Sequence, residues 1–450
     1  MLDMIKLSIP FLEEYTVTTS EVGTGSVRYV DFDACMERGI TLESRAVFAC
    51  GFDESTGKHE REVQGLRHPY EQLPTSFTGI AFKIFGGSEM RPACIELKAS
   101  PAKIIQGHNL FGSDDLELGS IEMIMALQHA YPDFCEMLDF QHTMLDHLDG
   151  TYSCRVPNEF IARQVISQMK NVSSGHLRAA LKNEHGTTCY FNKNSRHCDR
   201  KAYLKHDEYN SQLAKFRKLA DKGDRHALHI VDVMANPHLI NYSRNLVRFE
   251  AGFKRRYLDK FNIPQYLFDT IDPSGKSVKG AINFFRDYKN DVNENNLVQE
   301  MWTKAFKPLF DSFRGLEMDI FNDKEVRDLL RQNFNSVTKT GKISFAKADR
   351  LFRFYRSILS DGYLNVKDTY SKAAFNKSLA DLSSVGIAKA QLQQIMGNST
   401  DTSNVVPFVK VINLDFSNQF PADYVEPKVS PIAQAYSIGD FSSLSHMRVA

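Results

Sequence analysis

Two runs rich in β-branched and aromatic residues, TSFTGIAFKIFGG and RPACIELKAS, follow one another across a Gly-Gly-Ser turn between residues 75 and 100. So short a connection joins antiparallel strands, because a parallel pair needs a crossover of about a dozen residues or more. The chain is thereby committed to an antiparallel sheet. Strand-like patterning holds from the start to about residue 115, where GHNLFGSDD closes the unit. LGSIEMIMALQHAYPDF then places Ile121, Ile124 and Met125 at helical spacing and stops at Pro132. HTMLDHLDGTYSCRV reads as a strand, and NEFIARQVISQMKNV as a helix started by Pro157 and Asn158. A short strand in TTCYFNKNS, a helix in SQLAKFRKLADKGD and a strand with a basic end in NLVRFEAGFKRRYL complete the pattern. Strands and helices alternate without repeating βαβ units, so the fold class expected is α+β.

The expected organisation is a β-rich first part (1–115), a second part of the same core (116–271), a linker region (272–300) around DPSGKSVKG and DVNENN, and a mainly helical, basic region with an extended tail (301–450). At 450 residues and 42% hydrophobic, the chain can bury a sizeable core. Lys and Arg number 55, as do Asp and Glu, so any affinity for nucleic acid must come from local patches. Seven scattered cysteines (35, 50, 94, 135, 154, 189 and 198) form no C-x-x-C pair and read as reduced thiols of a cytosolic protein. MLDMIKLSIPFLEEY meets acids too early for a signal peptide, and no stretch approaches the roughly 20 apolar residues of a membrane span.

KAYLKHDEY (201–209) gathers two tyrosines, two lysines, a histidine and two acids. At its centre Tyr203 is either a half-buried aromatic or a nucleophile. A phenol titrates near pH 10 and attacks poorly at neutrality unless a cation or metal stabilises the phenolate. On a strand Lys205 shares the tyrosine's side; on a helix His206 and Asp207 are the neighbours instead. LDHLDGTY (145–152) offers His147 and Asp149 either side of Leu148, which on a strand project from one face as a start for a divalent metal site. The alternative is a turn at Asp149-Gly150. In VRFEAGFKRRY, Glu250 sits between apolar neighbours and needs a partner or a metal, and Arg248, Lys254, Arg255 and Arg256 are candidate phosphate contacts or a charged face over a core. GHNLFG lacks the phosphate-loop pattern and reads as a turn.

From Lys324 to Lys389 there are 13 Lys and Arg against 6 Asp and Glu. KADRLFRFYRSIL spaces Arg350, Arg353 and Arg356 opposite Leu351, Phe354 and Tyr355, a helix with one apolar and one basic face that is either solvated or turned to DNA. TYSKAAFNKSLADLSSVGI and KAQLQQIMG have the form of a helix–turn–helix with Gly386 at the turn.

Taken together, HPYEQLPTSFTGIAFKIFGGS, IELKASPAKIIQGHNLFGSDDL, SRHCDRKAYLKH, LVRFEAGFKRRYL and SNVVPFVKVINLDFS resemble the gene II protein family of filamentous bacteriophages, the inovirus replication endonucleases. The resemblance runs from the first residues to about residue 428; from about Val429 the chain extends beyond it. It implies an antiparallel-sheet endonuclease core of the rolling-circle-initiator kind and a site-specific nickase with strand-joining activity. Such a protein binds the double-stranded origin and nicks the plus strand through a phosphotyrosine link. The 3′-OH left behind primes synthesis, and a second cut and ligation circularise the displaced single strand.

The resemblance places the nucleophile in AYLKH, at Tyr203; the neighbouring Lys205 is the candidate to stabilise phenolate or phosphate. The resemblance implies Mg²⁺ or Mn²⁺, for which His147, Asp149, Glu208 and Glu250 are the candidates. Many rolling-circle initiators use a His-hydrophobic-His pair; here His147-Leu148-Asp149 ends in an acid, which suits a hard cation. Implied partners are origin DNA, the displaced strand, and a host helicase, single-strand binding protein and polymerase, in the host bacterial cytoplasm and away from membranes, with an oligomer on the origin left open. The family also implies an internal start, which Met318 in GLEMDIF matches. The competing class is a non-enzymatic origin-binding regulator in which Tyr203 only packs.

Overall fold

The computed structural model describes residues 1–428 except 22–24, 41–45, 54–57, 67–70, 76, 89–90, 171, 175–176, 179–185, 292–295, 314–321, 394, 396–411 and 413. Its main sheet has eight strands: β1 (Leu2–Pro10), β2 (Glu71–Pro74), β3 (Gly79–Phe85), β4 (Cys94–Ala99), β5 (Met144–Arg155), β6 (Thr188–Phe191), β7 (Cys198–Leu204) and β8 (Leu246–Lys254). Their spatial order is β6-β7-β8-β5-β1-β4-β3-β2, and every neighbouring pair is antiparallel. The hairpin expected between residues 75 and 100 is the β3–β4 pair. No turn forms at Asp149-Gly150; β5 runs straight through both residues, held by β8 on one side and β1 on the other.

One face of this sheet is apolar. Leu148, Tyr152 and Cys154 of β5 and Phe249, Ala251 and Phe253 of β8 are buried in the main core. The helix α1 (Leu116–Ala130) starts where Asp115 accepts a hydrogen bond from Leu118 N at 3.1 Å, and α2 (Glu159–Met169) where Asn158 accepts from Ile161 N at 2.9 Å. At Leu204 the extended chain turns directly into α3 (Lys205–Ala220), whose first turn carries Asp207 and Glu208, acids that suit a helix N-terminus. The helix α4 (Arg225–Met234) packs on α3. A further helix, α5 (Leu297–Ser312), spans the boundary expected at residue 301 and belongs to the main core instead of a separate region. Trp302, Phe306 and Leu309 pack beneath β8, and Trp302 Nε1 donates to Phe249 O at 3.0 Å. Each such buried side chain contributes on the order of 1.5–3 kcal/mol.

A second core follows, built by α6 (Asp323–Asn333), α7 (Ala346–Asp361), α8 (Lys372–Ser384) and α9 (Lys389–Gln393). The expected two-faced helix is α7: Leu351, Phe354, Tyr355 and Ile358 are buried, while Arg350, Arg353 and Arg356 are exposed. Gly386, at φ +92°, makes the turn between α8 and α9. Met318 lies outside the described residues. Near the end Ile412, Leu414 and Phe416 return to the main core, and Gln419 clamps the backbone of Ser153 through both its amide atoms, at 2.8 and 3.0 Å. Among the described residues, six cysteines are free and buried, and no helix is long and apolar enough to cross a membrane.

Candidate active site

The face of the sheet away from α5 is polar across three strands, and register explains why. On β7 and β8, Asp199 pairs with Gly252, Lys201 with Glu250 and Tyr203 with Arg248. On β8 and β5, Lys254 pairs with His147, Gly252 with Asp149, Glu250 with Thr151 and Arg248 with Ser153. Side chains alternate along a strand and stay level across paired strands, so these residues form four rows on one surface. Tyr203 thus belongs to a strand and Lys205 to the first helical turn, which settles the choice left open by the sequence.

One end of the surface is closed. Tyr203 is 4% exposed, Arg248 2% and Lys205 0%. Arg248 donates to the carbonyls of Asn109 and Leu110 and, at 3.1 Å, to Ser153 Oγ. Lys205 Nζ donates to Asn109 Oδ1 at 2.8 Å and to Glu208 at 2.6 Å, and Asn109 Nδ2 donates to Asp3 at 2.7 Å. GHNLFG is therefore more than a turn, since its backbone and its asparagine cap the buried cations Arg248 and Lys205 and the buried Asp3, with the partly exposed Glu208 at their edge. Burial works against the Asp3 charge, but Arg248 and Lys205 hold its carboxyl below the usual range. Burial, then Arg248, lowers Lys205 to about 8. His108, in the same segment, is pushed down to about 4 by burial and by these two cations.

The Tyr203 hydroxyl donates to Glu250 Oε2 at 3.2 Å. Lys201 Nζ pairs with the same oxygen at 2.9 Å and stands 4.6 Å from the Tyr203 ring centroid, with Lys205 Nζ at 5.9 Å. The sequence reading had a cation drawing the phenol pKa down. In this arrangement burial, followed by Glu250, raises it well above its ordinary value, so the group is a neutral phenol with a carboxylate positioned to take its proton. Burial also lifts Glu250, to about 7, against the pull of Lys201.

The other end is open. His147 Nε2 lies 2.9 Å from Asp149 Oδ1, with both side chains partly exposed. That nitrogen is buried and makes no aligned hydrogen bond. Asp199 Oδ2 pairs with Lys254 Nζ at 3.0 Å. A Cβ built on Gly252 would collide with Asp199 Oδ1 and stand 2.9 Å from both Asp149 Oδ1 and His147 Nε2. Glycine here keeps clear the point on which two carboxylate oxygens and an imidazole nitrogen converge. Those donor types suit a hard divalent cation. Among the described residues no group of three His, Cys, Asp or Glu stands as a formed metal site, and Asp199 is paired with Lys254.

The structure thus brings His147 and Asp149 together, puts Glu250 one row away beside Tyr203, and sends Glu208 to the closed end, where Lys205 and Gln212 occupy it. Arg248, expected as a phosphate contact, is walled in and cannot reach DNA from this position. Arg255 binds Asp259 at 2.7 Å and the carbonyls of Leu145, Ile263 and Pro264, a structural engagement, while Arg256 is exposed. The sequence reading missed Asp199, Lys201, Asn109, Asp3 and Gly252. Asp199, Lys201 and Tyr203 fall at every second position of CDRKAYL, a period of two that marks one strand face; nothing local marks the others.

Comparison with known proteins supplies the relatives of this chain. Residues 1–290 match the family model for the N-terminal part of the phage replication-associated protein, the gene II product, and residues 337–430 match the model for its C-terminal part. The replication-associated protein of Salmonella phage IKe is 39% identical over 95% of this chain and 96% of its own length. The protein of the same name from Enterobacteria phage M13 is 37% identical over 95% and 99%. A solved rolling circle replication initiator protein from Geobacillus stearothermophilus covers 64% of this chain and 95% of its own at 13% identity and a TM-score of 0.20, a likeness too loose to bear on function. This chain belongs to the replication-associated (gene II) protein family of filamentous phages.

Proposed function

We propose that this protein initiates phage rolling-circle replication by nicking and rejoining DNA through Tyr203. The observation that carries the reading is the contact between the Tyr203 hydroxyl and Glu250 on the same polar face as His147, Asp149 and Asp199. Glu250 takes the phenol proton as Tyr203 Oη attacks phosphorus in line. The bond from phosphorus to the 3′ oxygen breaks, its electron pair stays on that oxygen, and a proton from solvent makes the 3′-OH that primes synthesis. One phosphodiester is exchanged for another, so the reverse attack by a 3′-OH closes the displaced strand into a circle without ATP. Lys201 and Lys205 offset charge as it builds on the phosphoryl oxygens.

A bound Mg²⁺ or Mn²⁺ would supply further charge neutralisation, and His147 and Asp149, with Asp199 beside them, are the residues that would hold it. Asp199 and Tyr203 stand four positions apart on β7, about 13 Å of strand, and the tyrosine spans part of this by reaching toward Glu250. Because Tyr203 is only 4% exposed, a phosphate reaches its hydroxyl only when part of the cover over it shifts. Origin DNA, the displaced strand and the host replication proteins are the partners this reading requires, in the host cytoplasm.

The test is supercoiled origin plasmid with Mg²⁺. The protein is expected to give nicked and relaxed closed circles and a covalent DNA adduct that Tyr203→Phe eliminates. Nicking that survives Tyr203→Phe would mean water, not the phenol, is the nucleophile. Tight origin binding without any nicking would favour the regulator.

A further inference from the structure

The helical C-terminal region carries a two-stranded ribbon that its core does not use. Ser336–Val337 pairs with Ile343–Ser344. Its turn is closely built: the Thr338 hydroxyl donates to Lys342 O at 2.9 Å and accepts from Lys342 N at 3.1 Å, and Gly341 N donates to Thr338 O at 2.9 Å. Gly341 sits at φ +78°, a conformation that side-chain-bearing residues resist. A turn held this firmly presents a fixed outer surface.

That surface is an odd one for a solvated loop. Val337 is 72% exposed and Ile343 64%, and the two are direct partners across the ribbon. Lys339 and Lys342 at the tip are exposed, with no side-chain partner among the described residues. Phe345 alone separates the ribbon from α7, whose first turns expose Arg350 and Arg353. A purely protein-facing patch would have use for the apolar pair but not for unpaired cations beside it, whereas a duplex offers phosphates flanking a groove that a β-ribbon fits.

We propose that Ser336–Ser344 is a finger that enters a groove of duplex DNA, with Lys339 and Lys342 on phosphates and Val337 and Ile343 against the sugars and base edges between them. The proposal rests on the reading above that the chain binds duplex DNA. It adds a contact remote from the chemistry, so substitutions there alter binding and leave the cleavage step on bound DNA intact.

The experiment is equilibrium binding of the full chain to a short origin duplex, measured by fluorescence anisotropy across a NaCl series. Lys339→Ala with Lys342→Ala should weaken binding roughly tenfold and reduce the slope of log affinity against log salt by about 1.8, two phosphate contacts' worth. Val337→Ser with Ile343→Ser should weaken binding several-fold with the slope unchanged. Both variants should melt with the wild type, since all four side chains face water. Wild-type binding with neither variant altered would overturn the finger and leave the nicking reading standing. Failure of the wild type to bind any duplex would bring down the underlying reading. Lost self-association in the Val337/Ile343 variant, with DNA binding unchanged, would reassign the ribbon to a protein contact and also overturn the proposal.

Discussion

The two ends of the polar face treat charge in opposite ways, the closed end adding residues of β1 and α3 to those of the three strands. At the closed end, Arg248, Lys205, Asp3 and Glu208 are held by one another and by the Asn109 side chain and the Asn109 and Leu110 carbonyls of a segment drawn across them. At the open end, His147, Asp149, Asp199 and Lys254 contact one another mainly through side-chain tips, over a glycine that leaves room between them. Charges of the first kind fix position, because moving one strands the rest in a medium of low dielectric. Charges of the second kind can exchange partners at little cost, as a site that admits a cation or a phosphate must. Tyr203 and Glu250 sit where the two regimes meet.

The comparison breaks most visibly at Arg248. Arg248→Ala should cost about 3–5 kcal/mol, read by urea unfolding, because the Asn109 and Leu110 carbonyls lose their donor and Asp3 its strongest buried cation. A loss below about 1 kcal/mol would mean the closed end is not the rigid one.

Next in size is an acid-sensitive contribution from His108. Its folded pKa of about 4 lies below the unfolded value of 6.5, so the fold favours the neutral ring. The stability is complete above about pH 6.5 and falls as the pH drops toward 4, because the unfolded chain takes up a proton that the folded chain refuses. The span amounts to about 3 kcal/mol. His108→Gln should flatten this limb relative to the wild type in unfolding measured at pH 7, 5.5 and 4.

The smallest change in stability should come at the open end. Gly252→Ala displaces only the tips of Asp199, Asp149 and His147, so unfolding should shift by about 1 kcal/mol or less. Mn²⁺ binding, followed by the loss of free-ion paramagnetic signal, should nevertheless weaken at least tenfold. Unchanged Mn²⁺ affinity would show that the cation, if held, sits elsewhere.

What the sequence made legible divides along similar lines. Strand runs and their turns carry a local period, so β3–β4, β5, β6 and β8 were readable, as was the two-faced helix α7, while the segment around Tyr203 stayed open between strand and helix. Long distinctive runs carried the family. Convergence was not readable: Asp149, Asp199 and Gly252 meet only through the register of three strands about fifty residues apart, which no local pattern encodes. Glu208 looked like a ligand on the expectation of strand placement, but the change from strand to helix at Leu204 carries it to the Lys205 side. Arg248 looked like a surface cation because its cover comes from residues 109 and 110, far along the chain. The helix Leu297–Ser312 was read with the C-terminal region because polar DVNENN precedes it, although its own aromatic face matches the underside of the sheet.

The most direct test is mass spectrometry of peptides from the protein trapped on cleaved origin DNA. The predicted result is a nucleotide linked through phosphate to Tyr203, in the peptide containing AYLK. A nucleotide on any other side chain, Tyr209 and Tyr190 included, or recovery of cleaved DNA with no linked peptide, would contradict it.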